Sequence, residues 1–338
     1  MRAIGYKQPQ PISAETSLID IEMPRPVPQG RDLLVEIKAI SVNPVDTKVR
    51  ASAPPEDGGY KILGWDAAGI VAAAGPDAYL FKPGDAVFYA GALNRPGTNA
   101  EYHLVDERIV GRKPASLDFS AAAALPLTAL TAWETLFDRL DVHKRRVPSA
   151  AHAILIIGGA GGVGSIAIQL ARQLTDLIVI ATASRPETRD WCLGLGAHYV
   201  IDHNNPLSEE FQKLDLKSPG FVFVTTNSAT YLPEVSTLIA PQGHVAIIEA
   251  AAVPDVTLLK TKSAALHWEF MFTRSTHQTA DMQQQHEILN EVARLVDAGI
   301  IKTTLGEVLG PINAANLKRA HAVIESGRAK GKIVLSGF

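Results

Sequence analysis

Two hydrophobic periods divide the chain. Up to about residue 113, apolar residues come in short runs or alternate with polar ones. In Leu33 to Ile40, Val35 and Ile37 are interleaved with Glu36 and Lys38, the period of two of a half-wet strand. Ala3 to Tyr6, Leu18 to Met23, Glu101 to Val105 and Ile109 to Lys113 read as further strands. Lys61 to Gly75 reads as a Gly-flanked turn and an apolar strand, and Lys82 to Ala90 as a Pro83-Gly84 turn leading into a strand. Pro24 to Pro28 is a stiff connector, and Gly91 to Asn99 a Gly/Pro/Asn-rich loop carrying Asn94. From Leu117 to Leu140 the pattern turns helical, with a break at Pro126. Beyond it, short apolar runs alternate with helical patterns. Leu177 to Thr182, Tyr199 to Ile201, Phe221 to Val224, Val245 to Ile248 and His267 to Thr273 read as strands, and Glu187 to Leu195 and Leu232 to Ile239 as helices. This alternation predicts an α/β fold with a doubly wound parallel sheet. Met282 to Ala298 and Ala314 to Glu325 are amphipathic helices, with strands near Leu305 to Leu309 and at Ile333 to Leu335.

One stretch carries chemistry as well as structure. Ala153 to Arg172 joins an apolar strand to a helix through glycines, and Gly159, Gly161 and Gly164 fit G-x-G-x-x-G. The first glycine allows a tight turn, the second lets backbone approach a pyrophosphate, and the third lets helix meet strand. The free N–H groups of the helix start then face the phosphates. A ligand-free Gly-rich turn is the alternative.

A corner residue at the end of the next strand discriminates between cofactors. A carboxylate there binds the ribose 2′-OH and repels a 2′-phosphate. Here the strand ends in Ser184 and Arg185, with no carboxylate in that corner and Arg189 one turn on. A guanidinium fork and a hydroxyl suit a phosphate, so NADP(H) is expected over NAD. An exposed loop arginine is the competing account.

Composition narrows the remaining classes. The 338 residues are 46% hydrophobic and 20% charged, enough for two domains. A net charge of -3 favours neither nucleic acid nor an anionic membrane. The lone Cys192 forbids an internal disulfide and suits a reducing cytoplasm, where a small core residue is its expected role. The N-terminus lacks a signal-peptide core, and the apolar region Ala121 to Trp133 is too short for a bilayer span. In Ser41 to Arg50, Asn-Pro makes a turn before a polar helical segment, and Asn43 and Asp46 either cap it or serve a site.

These motifs resemble the medium-chain dehydrogenase/reductase superfamily, in its zeta-crystallin-like quinone oxidoreductase branch. The matching segments are Asn43 to Arg50, Gly64 to Val71, Phe81 to Phe88, Ala124 to Leu136, Gly158 to Gly164 and the terminal GKIVL, Gly331 to Leu335. They are closest to the group often labelled zinc-type alcohol dehydrogenase-like. The resemblance implies a GroES-like β-rich domain over 1–126, a Rossmann domain over 127–278, and a return to the first domain over 279–338. It also implies a homodimer pairing through the segment HWEFMF.

The label raises zinc, which needs about three protein ligands. In zinc-dependent relatives a Cys stands where this chain has Asn43, and a His where it has Trp65. Neither ligand is present, and the cysteine-rich structural-zinc lobe is missing, so no zinc is expected. Without that Lewis acid, simple ketones are poor acceptors. Electron-poor quinones or enones are the expected small-molecule acceptors, held against the nicotinamide in a dry cleft. The alternatives are an alkenal or enone reductase, or an NADPH-binding structural protein with little turnover.

The resemblance also carries over site residues. Ala160, Gly161, Gly162, Val163 and Gly164 lie along the pyrophosphate, and Ser184 and Arg185 take the 2′-phosphate. His203 meets the adenosine end or is a surface histidine. Asn227 and Ile248 border the adenine and nicotinamide ribose, and Phe272 and Thr273 the carboxamide. At the reacting ring, Asn43 offers an amide donor, Lys48 a cation and Asp46 an orienting carboxylate. Trp65 is either an aromatic wall or core. Tyr89 and Asn94 are weaker cleft candidates.

Overall fold

The backbone changes sheet type where the hydrophobic period changes. A computed structural model describes residues 1–55, 58–249 and 254–338. It divides into one unit of Met1–Leu130 with Phe272–Phe338 and another of Thr131–Met271.

In the first unit the alternating stretch becomes the eleven-residue strand Asp32–Val42. Leu33, Val35 and Ile37 are buried while Glu36 and Lys38 stay partly exposed. Burying each such apolar side chain stabilises by about 1.5–3 kcal/mol. This strand anchors a seven-stranded sheet in the order Leu305–Val308, Lys332–Ser336, Asp32–Val42, Asp66–Ala74, Ala86–Tyr89 and Val110–Arg112, with Tyr102–Asp106 also pairing to Asp32–Val42. The C-terminal strand therefore lies beside an N-terminal one, with Ile333 opposite Val42 and, across the next ladder, Ser41 opposite Asp66. These ladders gather one end of three strands, and the polar residues at that end meet. A smaller antiparallel sheet holds Ile19–Glu22, Arg2–Tyr6 and Lys61–Ile62.

The second unit is a six-stranded parallel sheet. Its order is Tyr199–Ile201, Ile178–Thr182, Ala151–Ile157, Pro219–Val224, His244–Ile247 and Ala265–Trp268. The middle strands are apolar on both faces, as a helix-covered parallel sheet requires, and Ala153 through Ile157 are fully buried. The chain winds outward from Ala151–Ile157 in one direction and then the other. That reversal makes a switch point beside Pro219–Val224, and ligand crevices open outside the carboxyl ends of such strands. The α/β architecture, a Rossmann sheet with a GroES-like β-rich unit, is thus the one expected.

The break expected at Pro126 is present, and one other element differs in detail. Pro126 does not sit inside one helix. It opens a second, Pro126–Trp133, after Phe119–Ala123, because a missing N–H costs nothing at a helix start. A π-helical stretch, Glu134–Arg139, continues it. The segment His267 to Thr273 is not one strand. The strand is Ala265–Trp268, and Phe272 caps a short helix, Thr273–His277. The apolar run misleads because it holds Glu269, a buried carboxylate 2.8 Å from Arg139 Nε, at the point where the chain leaves the sheet. Trp268 and Phe270 also point outward, about half exposed. Among the described residues, no helix is long and apolar enough to cross a membrane.

Candidate functional site

The candidate residues form two groups, one in each unit. In the second unit the strand Ala151–Ile157 runs into the glycine loop, and Gly161 caps the helix Gly162–Leu174. Gly158 sits at φ +82°, a left-handed turn suited to glycine. Its N–H donates to Thr182 Oγ1 at 3.0 Å, and the Gly159 N–H to Thr182 O at 3.1 Å. The other glycines are glycines for different reasons. A Cβ on Gly164 would stand 2.2 Å from the Gly158 carbonyl oxygen, so helix and loop touch there. A Cβ on Gly161 would meet nothing nearer than 3.4 Å, so the fold itself leaves room for one. Open space before a helix N-terminus is what a pyrophosphate needs, and the loop fits a dinucleotide. Ala160, Gly162 and Val163 complete this rim.

The adjacent corner joins residues far apart in sequence. His203 Nδ1 lies 3.1 Å from Thr182 Oγ1, the same hydroxyl that holds the loop. Burial lowers the His203 pKa, with nearby Asp202 raising it and Arg185 lowering it. Ser184 and Arg185 follow the strand Ile178–Thr182, and Arg185 caps the helix Pro186–Gly194. One expectation fails here. A carboxylate does reach the corner, because the helix starts at Pro186 and turns Glu187 back. Its Oε1 accepts from Arg185 Nε at 2.6 Å. Arg189 is drawn elsewhere, donating to the Val200 carbonyl at 2.5 Å. Asn227, left-handed at φ 48°, caps Ser228–Leu238 beyond the strand Pro219–Val224. Ile248 follows the strand His244–Ile247. Both lie at the carboxyl ends of the sheet. Thr182 went unrecognised in the sequence, where it looks like any β-branched strand residue. Cys192 is fully buried and its thiol is pushed up to about 12, which suits its expected core role.

In the first unit a buried polar cluster forms at the gathered strand ends. Lys332 Nζ donates to Asp66 Oδ2 at 3.0 Å, to the Val42 carbonyl at 3.1 Å, and to Asn43 Oδ1. Asn43 Nδ2 donates to the same Asp66 oxygen at 2.8 Å, and the Leu127 N–H to Asp66 Oδ1 at 2.7 Å. Asn43, Asp66 and Lys332 are at most 3% exposed. Both ends of the Asn43 amide are therefore engaged inside the protein. Asp46 plays the cap role, accepting from the Asn43 N–H at 2.6 Å at the start of the helix Pro44–Ser52. Burial raises its pKa to about 7, against the pull of that N–H and of Lys332. Lys48 is exposed on the same helix, outside this buried cluster.

Trp65 is 2% exposed, donates from Nε1 to the Ala92 carbonyl at 3.1 Å, and meets Phe272 edge-on at 6.0 Å. Phe272 and Thr273 thus belong to this unit. Tyr89 is buried, its hydroxyl donating to His103 Nδ1 at 3.0 Å, while Asn94 is exposed. Asp66 and Lys332 were missed in the sequence. The available signal was one charge opening each of two otherwise apolar strands, DAAGIVAAA and KIVLS.

These residues do not fit a catalytic zinc. Asn43 and Trp65 carry an amide and an indole, neither of them a usual zinc ligand, and each is already hydrogen-bonded within the fold. Among the described residues, no group of three His, Cys, Asp or Glu could hold a metal.

Comparison with known proteins places this geometry. A family described as the alcohol dehydrogenase GroES-like domain matches residues 29–115, and one described as zinc-binding dehydrogenase matches 195–335. A zinc-type alcohol dehydrogenase-like protein of Staphylococcus aureus is 40% identical over 99% of this chain and 100% of its own length. A 2-methylene-furan-3-one reductase of Solanum lycopersicum is 29% identical over 90% of this chain and 71% of its own. Among solved structures, a Rhizobium etli protein named as a candidate zinc-dependent alcohol dehydrogenase has a TM-score of 0.98 and 60% identity, covering 100% and 98% of the two chains. A quinone oxidoreductase from Pseudomonas syringae has a TM-score of 0.82 and 25% identity over 99% of both chains. A mycobacterial protein in complex with NADPH has a TM-score of 0.83 and 26% identity over 99% of both chains. The chain belongs to the medium-chain dehydrogenase/reductase superfamily, in the zinc-type alcohol dehydrogenase-like group of its quinone oxidoreductase-like branch.

Proposed function

We propose that the chain is a zinc-independent NADPH-dependent reductase of quinones or related electron-poor conjugated carbonyls. One observation carries the reading. The two positions that the resemblance assigns to zinc ligands, Asn43 and Trp65, hold an amide bonded to Asp66 and Lys332 and an indole bonded to Ala92. The similarity to the P. syringae quinone oxidoreductase and to the NADPH-bound mycobacterial protein supports it.

A bound reduced nicotinamide supplies the hydride. The glycine loop, Ala160 to Gly164, would hold the pyrophosphate, and Ser184, Arg185 and His203 would hold the adenosine end. Asn227 and Ile248 would border the riboses. In the first unit, Lys332 and Asp66 position Asn43, and Trp65 lies against Phe272. An already polarised acceptor needs orientation and exclusion of water more than a Lewis acid.

The test is NADPH consumption with a quinone, an enone and a simple ketone, with and without a strong chelator. Turnover of the first two, unaffected by the chelator and absent with the ketone, supports the reading. Chelator-sensitive ketone reduction overturns it. The tomato relative favours a second reading, an enone or alkenal reductase, and a quinone against an alkenal under identical conditions separates the two. We also propose a homodimer pairing along the edge strand Ala265–Trp268, supported by the half-exposed Trp268 and Phe270 beside it. Light scattering reads its mass.

A further inference from the structure

We propose that Glu187 sets the cofactor preference by competing with the 2′-phosphate for Arg185, so that the chain accepts both NADPH and NADH. The inference rests on the cofactor reading above and deepens it. The Arg185 guanidinium that would receive a 2′-phosphate holds the Glu187 carboxylate, Nε to Oε1, at 2.6 Å. The pair stands at the corner fed by the strand Ile178–Thr182, where a Rossmann sheet reads the adenosine ribose.

Each side chain suits a different cofactor. A carboxylate accepts a hydrogen bond from a 2′-OH, and a guanidinium takes a 2′-phosphate in its fork. A corner with only arginine would select the phosphate, and one with only glutamate would reject it. Here the two neutralise each other. A 2′-phosphate must share Arg185 with a carboxylate of its own sign, or displace it. Displacement is feasible, since the Glu187 side chain is 57% exposed and that of Arg185 39%. The conflict is therefore moderate, and it weakens with salt because the pair is open to solvent.

Ser184 and His203 do not remove the conflict. Burial lowers the His203 pKa, so the fold itself disfavours a charged imidazole in this corner. Arg189 is turned to the Val200 carbonyl. Glu187, as a partner of Arg185, then affects how freely that guanidinium can be used.

The experiment titrates NADPH and NADH into the intact protein by nucleotide fluorescence, comparing wild type with Glu187→Gln, Glu187→Ala and Arg185→Met. Expected is a wild-type preference for NADPH within about tenfold, with Glu187→Gln tightening NADPH and weakening NADH by roughly three- to tenfold each. Glu187→Ala should follow the same direction, and added salt should shrink the difference. An unchanged NADPH-to-NADH ratio in both Glu187 variants, with NADPH still weakened by Arg185→Met, overturns this inference and leaves the cofactor reading intact. Wild type that binds neither nucleotide overturns both.

Discussion

Lys332 Nζ lies 3.0 Å from Asp66 Oδ2, joining residues 266 positions apart, with side chains 3% and 0% exposed. A pair this buried contributes little net stability compared with an apolar pair, but breaking it strands a charge. Lys332→Met is expected to cost about 3–5 kcal/mol in denaturant unfolding. The double variant Lys332→Met with Asp66→Asn should recover part of the loss. A single variant as stable as wild type would mean the pair is not formed.

The glycine loop offers a separation of structure from binding. Gly164→Ala drives a Cβ into the Gly158 carbonyl and should destabilise the second unit by about 1–3 kcal/mol. Gly161→Ala has room and an extended backbone (φ -71°, ψ 173°) that any residue adopts, so its melting temperature should stay within a degree or two of wild type while nucleotide affinity drops at least tenfold. Equal affinity in Gly161→Ala would remove the pyrophosphate from this rim.

Asp46 predicts a pH signature. Its folded pKa, about 7, lies above the ordinary carboxylate value, so the folded chain keeps a proton that the unfolded chain releases. Its contribution is therefore lost as pH rises from about 4 to 7 and is level above that. Asp46→Asn keeps an oxygen for the Asn43 N–H and cannot ionise. Its stability relative to wild type should climb across that window and then plateau, as read by denaturant unfolding at a series of pH values. A difference independent of pH would contradict the buried carboxyl.

The buried histidines act in the opposite direction. Burial lowers His103 to about 4 and His321 to about 3, with Arg50 also lowering His321. Both stay neutral in the folded chain while the unfolded chain protonates below about pH 6.5. Stability should fall as pH drops from 6.5 towards 4, by up to about 1.4 kcal/mol per pH unit for each histidine. His103→Asn should flatten part of this slope. An acid limb unchanged in that variant would place His103 in solvent.

Much of the architecture was legible from periodicity. The alternation at Val35 and Ile37, the switch to helices at Leu117, and the glycines between strand and helix each depend on neighbours a few residues away. Local chemistry reaches that far, so the element types and the glycine turn between strand and helix could be read in the chain alone. The segment His267 to Thr273 could not, because an apolar run does not say whether it is covered. The strand stops before a buried Glu269, which is held by an arginine 130 positions distant.

What only tertiary structure decided is which charges meet. Glu187 reaches Arg185 because a helix begins between them. Lys332 reaches Asp66 and Asn43 because the last strand lies beside Asp32–Val42, which pairs in turn with Asp66–Ala74. Each charge, taken alone in the sequence, resembles an ordinary surface residue. Burial is a property of the whole fold, and it turns an isolated Asp and a Lys into a closed pair and Asn43 into a locked amide.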